Sequence, residues 1–268
     1  MTDLSTLPSI LQNPDQPGFQ LFPAFVAPEM GNLMLDDVID IARSAAAGED
    51  VAPSVVQPEK QGLKGMNPED VVSKIFKLHR RPVFMEFLKL TEIRDIVIAA
   101  IGENVDCFLS QFIFKNPGAW GQPWHQDSYY FPFEPARPII GLWLAITEAT
   151  LENGCLHILR GSQSEPVHHH IKDRRENANF GYVEIVDHDM SQSEPCLLQA
   201  GDLMVFDSHL MHRSTDNVSD GIRAAMVWHF AEAGSIDPGT TDRDGNKIPS
   251  EVNDWMPYIR ECELIITK

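Results

Sequence analysis

Hydrophobic positions follow two different rhythms along this chain. In "PEMGNLMLDDVIDIARSAAAG", Met30, Leu33, Met34, Val38, Ile41, Ala42 and Ala45 recur at helical spacing, and Gly48 stands just past the last of them. "NPEDVVSKIFKLH", residues 67–79, opens like a helix, with Asn67 as cap, Pro68 in the first turn, and Glu69 and Asp70 at the positive end of the dipole. Further helices are expected over about 82–90 and in "TEIRDIVIAAIG", which Thr91 caps and Gly102 ends. Residues 49–66 read as a polar loop containing proline and glycine.

Beyond that point the apolar runs shorten to strand length: 105–115, 123–131, 139–146, 155–159, 182–187, 196–198, 202–206 and 222–230. Turn signals separate many of them, among them Asn116-Pro117-Gly118, Asn153-Gly154 and Asp220-Gly221. Helices first and many short strands second predict a mainly β fold. Its core is a double-stranded β-helix (jelly roll, cupin-like) braced by N-terminal helices. One domain is expected over 1–268: helical support to about 102, a core over about 103–230 with an insertion at 160–181, and a polar, turn-rich tail over 231–268.

Composition narrows the class. The chain has 268 residues, 43% of them hydrophobic, enough for a sizeable core. A net charge of −18 argues against non-specific binding to nucleic acid or anionic membranes. Cys107, Cys155, Cys196 and Cys262 are widely spaced and form no CxxC pair, so they read as thiols in a reducing compartment. The sequence shows no secretory pattern, no apolar run of membrane-spanning length and no peroxisomal address in the final "IITK". A cytoplasmic protein is expected.

The candidate chemistry begins in "QPWHQDSYYFPFEP". His125 and Asp127 are two residues apart, which on a strand puts both side chains on one face. His209 and His212 follow a later apolar strand. Two histidines and one carboxylate on a barrel rim make the facial triad of non-haem iron oxygenases, with one face of Fe(II) left open. Arg223 sits in the apolar run "GIRAAMVWHF", sharing a face with Ala225, Val227 and His229. Buried there, it needs an anionic partner, and its planar fork fits a carboxylate; on the strand alone an internal salt bridge or a place at the wet rim accounts for it equally. In "IIGLWLAI", Gly141 and Ala145 flank Trp143 on one face and leave a hollow.

At these residues the sequence resembles the phytanoyl-CoA dioxygenase family of Fe(II)/2-oxoglutarate oxygenases, over roughly residues 70–230. "HQDSYYFPFEP" is similar to the family's first metal-binding segment, and "ATLENGCLHILRGS" resembles its NGCL block, with Arg160 where proline is common. "GDLMVFDSHLMHRSTDNVSDGIR" resembles the second metal-binding segment, with an arginine eleven residues after the histidine, a spacing that selects His212 over His209. The resemblance implies iron bound by His125, Asp127 and His212, and the far carboxylate of 2-oxoglutarate held by Arg223 and Ser214. Trp143 would line the co-substrate pocket, Gln111 would touch it, and Lys74, with Lys77 as competitor, falls near a family lysine, while on the helix expected here it reads equally as a surface residue.

The implied activity is oxidative decarboxylation of 2-oxoglutarate to succinate and carbon dioxide, coupled to hydroxylation of an unactivated C–H bond in a small metabolite. Retention of Asp127 favours hydroxylation over halogenation; desaturation and epimerisation use the same triad. Two other readings stand beside it: a metal oxygenase that does not use 2-oxoglutarate, and a non-catalytic barrel that binds a small carboxylate. The family resemblance does not carry a substrate with it. Tyr129, Tyr130, Phe131 and Phe133 are candidates for a substrate wall, about half of them serving instead as packing. His168-His169-His170 reads as a solvated loop or lid, His157 and His229 as strand histidines satisfied by neighbours, and Trp120 and Trp124 as flanking residues.

Overall fold

In the computed structural model, which describes residues 4–266 apart from 62, 64, 180 and 239–254, fourteen strands follow and interleave with four α-helices. The strands are β1 (Phe19–Phe22), β2 (Val55–Pro58), β3 (Val72–Phe76), β4 (Val105–Lys115), β5 (Ile139–Ala145), β6 (Leu156–Ile158), β7 (His170–Lys172), β8 (Val183–Ile185), β9 (Glu194–Cys196), β10 (Leu203–Asp207), β11 (His212–Ser214), β12 (Arg223–Glu232), β13 (Met256–Arg260) and β14 (Glu263–Leu264). The helices are α1 (Leu7–Gln12), α2 (Pro28–Ala46), α3 (Pro82–Leu88) and α4 (Thr91–Ala100). None of the described helices is long and apolar enough to cross a membrane.

The larger sheet is antiparallel and runs β1-β10-β5-β12-β4. The outer edge of β4 is shared by β3 and β13, which carry β2 and β14 further out. Opposite it, β11, β6 and β9 form a second sheet. A bridge from His125 to His212 and a hydrogen bond of 2.8 Å from the Ile185 N–H to the Trp124 carbonyl tie the β7–β8 hairpin into this layer. Two curled antiparallel sheets face to face are the expected jelly roll.

The period of two explains why β12 and β5 can be buried on both faces. On one face, Ala224, Met226, Trp228 and Phe230 join Ile140, Leu142 and Leu144 against Met34, Val38, Phe84, Phe87, Ile93 and Val97 of the helices. On the other, Ala225, Val227 and Trp143 meet Leu156 and Ile158 of the second sheet. The Trp228 ring stacks on Phe87, centroids 4.4 Å apart and planes 8° apart. Trp228→Ala should therefore cost roughly 3–5 kcal/mol. Urea denaturation is the check: a loss under about 1 kcal/mol at unchanged m-value would refute tight packing of the helical layer on this sheet.

Several sequence expectations give way. The start signal at Asn67 is real, since Asn67 and Asp70 form a capping box, but only one 3-10 turn follows, Pro68–Val71. The β-branched run after it pairs with β4 as β3, burying Ile75 against the helices and turning Lys74 and Phe76 to the opposite side. The 123–131 segment is no strand. Pro123 and Pro132 limit pairing, only His125 bridges, and a 3-10 turn follows at Asp127–Tyr129. The polar loop at 49–66 contains β2, the insertion at 160–181 contains β7, and the tail adds the end of β12 and the pair β13–β14 to the large sheet. The turn-rich part expected over 231–254 lies mostly outside the described residues.

Candidate active site

His125, Asp127 and His212 converge between the sheets, all three buried, with one ligating atom from each lying within 4.8 Å of the others. His125 Nε2 is 3.5 Å, and His212 Nε2 3.9 Å, from Asp127 Oδ1. The other ring nitrogens fix the tautomers. His125 Nδ1 donates to the Pro123 carbonyl at 2.8 Å and His212 Nδ1 to the Leu210 carbonyl at 2.9 Å. Only an N–H can make those bonds. In the neutral rings both Nε2 atoms therefore aim lone pairs at a carboxylate oxygen, which is repulsive unless a cation lies between them. That observation fits a divalent metal, and two imidazoles with one carboxylate on a single side are the donor set of non-haem Fe(II).

Asp127 Oδ2 accepts a hydrogen bond from His229 Nε2 at 2.8 Å. Burial opposes the Asp127 charge, yet the facing imidazoles of His212, His125 and His229 outweigh it and hold the carboxyl well below its usual range. Burial, and then His125, push His212 down to about 4, so the ring is neutral and free to ligate. Gln126, fully buried between His125 and Asp127, donates to the Pro166 and His209 carbonyls and accepts from the His168 N–H. Three anchors on one side chain hold the turn that brings Asp127 back over His125.

The triad opens into a cavity of about 670 Å³ lined also by Arg223, Lys115, Lys74, Ser214, Gln111, Trp143 and Tyr130. Arg223 is 2% exposed, and its Nε and Nη1 have no hydrogen-bond partner among the described residues. Burial brings its pKa down to about 10. Its guanidinium carbon lies 5.7 Å from the centre of the Trp143 ring. Lys115 faces Arg223 across the β4–β12 pair and donates to Ser214 Oγ at 2.7 Å and the Thr215 carbonyl at 2.6 Å. Lys74 donates to Gln122 Oε1 at 3.3 Å, and burial lowers its pKa to about 8. Burial, and then Arg223, hold Lys115 well below the usual lysine range. Three basic groups at one end of a buried cavity call for an anion there. Close backbone approach shapes this end: a Cβ on Gly121 would stand 1.9 Å from the Ser214 carbonyl oxygen.

Several candidate residues lie elsewhere. Tyr129 is 41% exposed and stacks on His170, and Phe133 packs with Phe108 and Trp255, so neither lines the cavity, whereas Tyr130 and Phe131 do. The hollow beside Trp143 is filled at Gly141 by the Phe206 ring, which a Cβ there would meet at 2.3 Å. Lys77 is exposed past the end of β3, which leaves Lys74 on the cavity. His209 bonds Ser128 Oγ at 3.0 Å, away from the triad. Trp120 lines the cavity beneath Arg175, while Trp124 packs with Leu159 and Met211. The run His168–His170 is no free loop: His170 is buried on β7 and accepts from the Gln126 N–H at 3.1 Å.

Sequence reasoning missed Lys115 and the role of His229. Lys115 carried the same signal as Arg223, a cation closing an apolar strand. His229 shared a face with Arg223, but nothing local to it named Asp127 as its partner.

Comparison with known proteins gives a consistent picture. The family model "Phytanoyl-CoA dioxygenase (PhyH)" matches residues 15–225. Peroxisomal phytanoyl-CoA dioxygenase of Bos taurus is 32% identical over 171 residues, 62% of this chain and 51% of that protein. The Rattus norvegicus protein of the same name is 29% identical over 217 residues, 75% of this chain and 64% of that protein. The chain thus spans about half to two thirds of these relatives. Among solved structures, EctD from S. alaskensis with 2-oxoglutarate and 5-hydroxyectoine superposes with a TM-score of 0.69 at 16% identity, covering 98% of this chain and 86% of that one. The non-heme monooxygenase ThoJ gives 0.66 at 19% identity, with 97% and 89% covered. At these identities the structural likeness concerns the fold.

Proposed function

Because this chain belongs to the phytanoyl-CoA dioxygenase family, we propose that it is an Fe(II)/2-oxoglutarate-dependent dioxygenase that hydroxylates an unactivated C–H bond of a small metabolite. The observation that carries this reading is the pairing of two features in one cavity: a His-Asp-His cluster with converging lone pairs, and a buried guanidinium without an anion. His125, Asp127 and His212 would hold the metal, and Arg223 with Ser214 the far carboxylate of 2-oxoglutarate. When bound, the iron and the keto acid supply dioxygen-driven oxidative decarboxylation to succinate and carbon dioxide, with one oxygen atom delivered to the substrate.

The chain's own groups do the positioning. His229 keeps Asp127 oriented through its Oδ2. Lys115 holds Ser214 Oγ, so that the hydroxyl hydrogen is free to donate to a carboxylate. Trp143, Phe206 and Val227 form an apolar wall that excludes water from the triad. Gln111, Lys74 and Tyr130 line the remaining cavity, where co-substrate and substrate would lie. The reading keeps a cytoplasmic setting, in line with four free thiols of which three are buried.

The test is succinate formation from 2-oxoglutarate with Fe(II), ascorbate and air. Even without substrate, slow uncoupled turnover is expected; its complete absence, with no change in the Fe(II)·2-oxoglutarate absorption band, would favour a carboxylate-binding barrel. Lys115→Met should raise the 2-oxoglutarate KM roughly tenfold while kcat stays within about twofold, since a charge-assisted bond and its buried acceptors are lost. An unchanged KM would remove Lys115 from the site.

A further inference from the structure

A second cluster of ligating groups lies outside the cavity. Glu165, His168 and His188 offer atoms within 4.8 Å of one another. Glu165 Oε2 is 2.9 Å from His168 Nε2 and 3.1 Å from His188 Nε2, and the two rings are perpendicular, 5.0 Å apart. One outer nitrogen is hydrogen-bonded and the other lies near a carboxylate. His188 Nδ1 donates to the Asp189 carbonyl at 3.0 Å, and His168 Nδ1 faces Asp187 Oδ1 at 3.6 Å. Imidazoles that bind metal through one nitrogen show this pattern at the other. In that tautomer the His188 ring directs its Nε2 lone pair at the Glu165 carboxylate oxygen that also meets His168 Nε2.

The geometry points to a second metal site, in which Glu165, His168 and His188 bind a structural Zn2+ ion with solvent in the fourth position. Two imidazoles and a carboxylate suit zinc, and a given set of N and O ligands binds it more tightly than Fe2+. Its ligands come from two pieces of chain, with Glu165 and His168 three residues apart on one of them. Glu165 follows a 3-10 turn, His168 precedes β7, and His188 follows β8. Zinc would staple the base of the β7–β8 hairpin to the preceding turn. That hairpin region carries Tyr182 on the cavity wall, and the loop from 166 to 170 clasps Gln126 between the two ligands of the triad. The site would hold the strap that holds the active-site turn, without touching substrate.

Equilibrium dialysis of the full chain against Zn2+, followed by metal analysis, tests this. Two ions per chain are expected, one at each cluster. The double variant Asp127→Ala/His212→Ala should keep one, and adding His188→Ala or His168→Ala should remove it. Cobalt bound to the double variant should give the strong visible absorption of a four-coordinate site, lost with His188→Ala. Zinc, and not magnesium, should raise the Tm of the double variant by roughly 5 °C. Should the double variant fail to fold, His188→Ala in the native background must still lower the zinc count by one. A zinc count that neither histidine substitution changes would mean adventitious binding by surface carboxylates. That result, or a double variant that takes up no zinc, overturns the proposal.

Discussion

Asp127→Ala is expected to abolish succinate formation, by at least about a thousandfold or ~4 kcal/mol of transition-state stabilisation. The carboxylate is the single anion between the two imidazoles of the cluster, so its loss removes the charge that favours a dication there as well as one of three candidate ligands. Bound Fe(II) should fall in parallel during dialysis under argon. Alanine also leaves His229 Nε2 without its acceptor, so some thermal stability should be lost. Asp127→Asn separates the two effects. Its amide oxygen can still accept from His229, so the fold should recover while activity does not. His209→Ala is the matched control, because His209 bonds Ser128 and Asp207 outside the cavity. A normally active Asp127→Ala enzyme, or an inactive His209→Ala enzyme beside an active His212→Ala one, would sink the triad.

Arg223→Met should act in opposite directions on stability and on binding. The guanidinium is buried, and two of its nitrogens have no partner among the described residues. Replacing such a charge with an apolar side chain of similar volume should leave Tm unchanged or raise it. The 2-oxoglutarate requirement should rise roughly 100- to 1000-fold, or ~3–4 kcal/mol, because the ligand's far carboxylate would be desolvated without its counter-charge. Arg223→Lys should restore only part of the affinity, since a point charge replaces a planar fork. Thermal melts and 2-oxoglutarate titrations on the same samples give both readings. A variant that loses stability yet binds 2-oxoglutarate within about threefold of the parent would mean that Arg223 serves the fold and not the ligand.

The histidine-aspartate spacing is instructive because the residues were found by an argument whose geometry differs. A strand would have put His125 and Asp127 on one face by alternation. The chain instead makes a single bridge at His125 and turns at Asp127, with Gln126 pinned beneath. A similar exchange occurred at Lys74. The cap at Asn67 suggested a helix that would have left this lysine on the surface, but pairing with β4 overrode the local signal. Aromatic residues were harder still. Four followed the metal-binding segment, and only the path of the turn decided that Tyr130 and Phe131 face the cavity while Tyr129 and Phe133 do not.

The sequence by itself determined the class of fold, the two faces of β5 and β12, and an arginine whose burial demanded an anion. Those features follow from period and from the cost of burying charge, both of which act over a few neighbouring residues. Only the tertiary structure decided that Lys115 stands beside Arg223, that His229 orients Asp127, and that Glu165, His168 and His188 meet away from the cavity. Each of these joins side chains from separate elements, and the register between strands and the course of turns set their meeting. Those are fixed by packing of the whole chain, on which local spacing is silent.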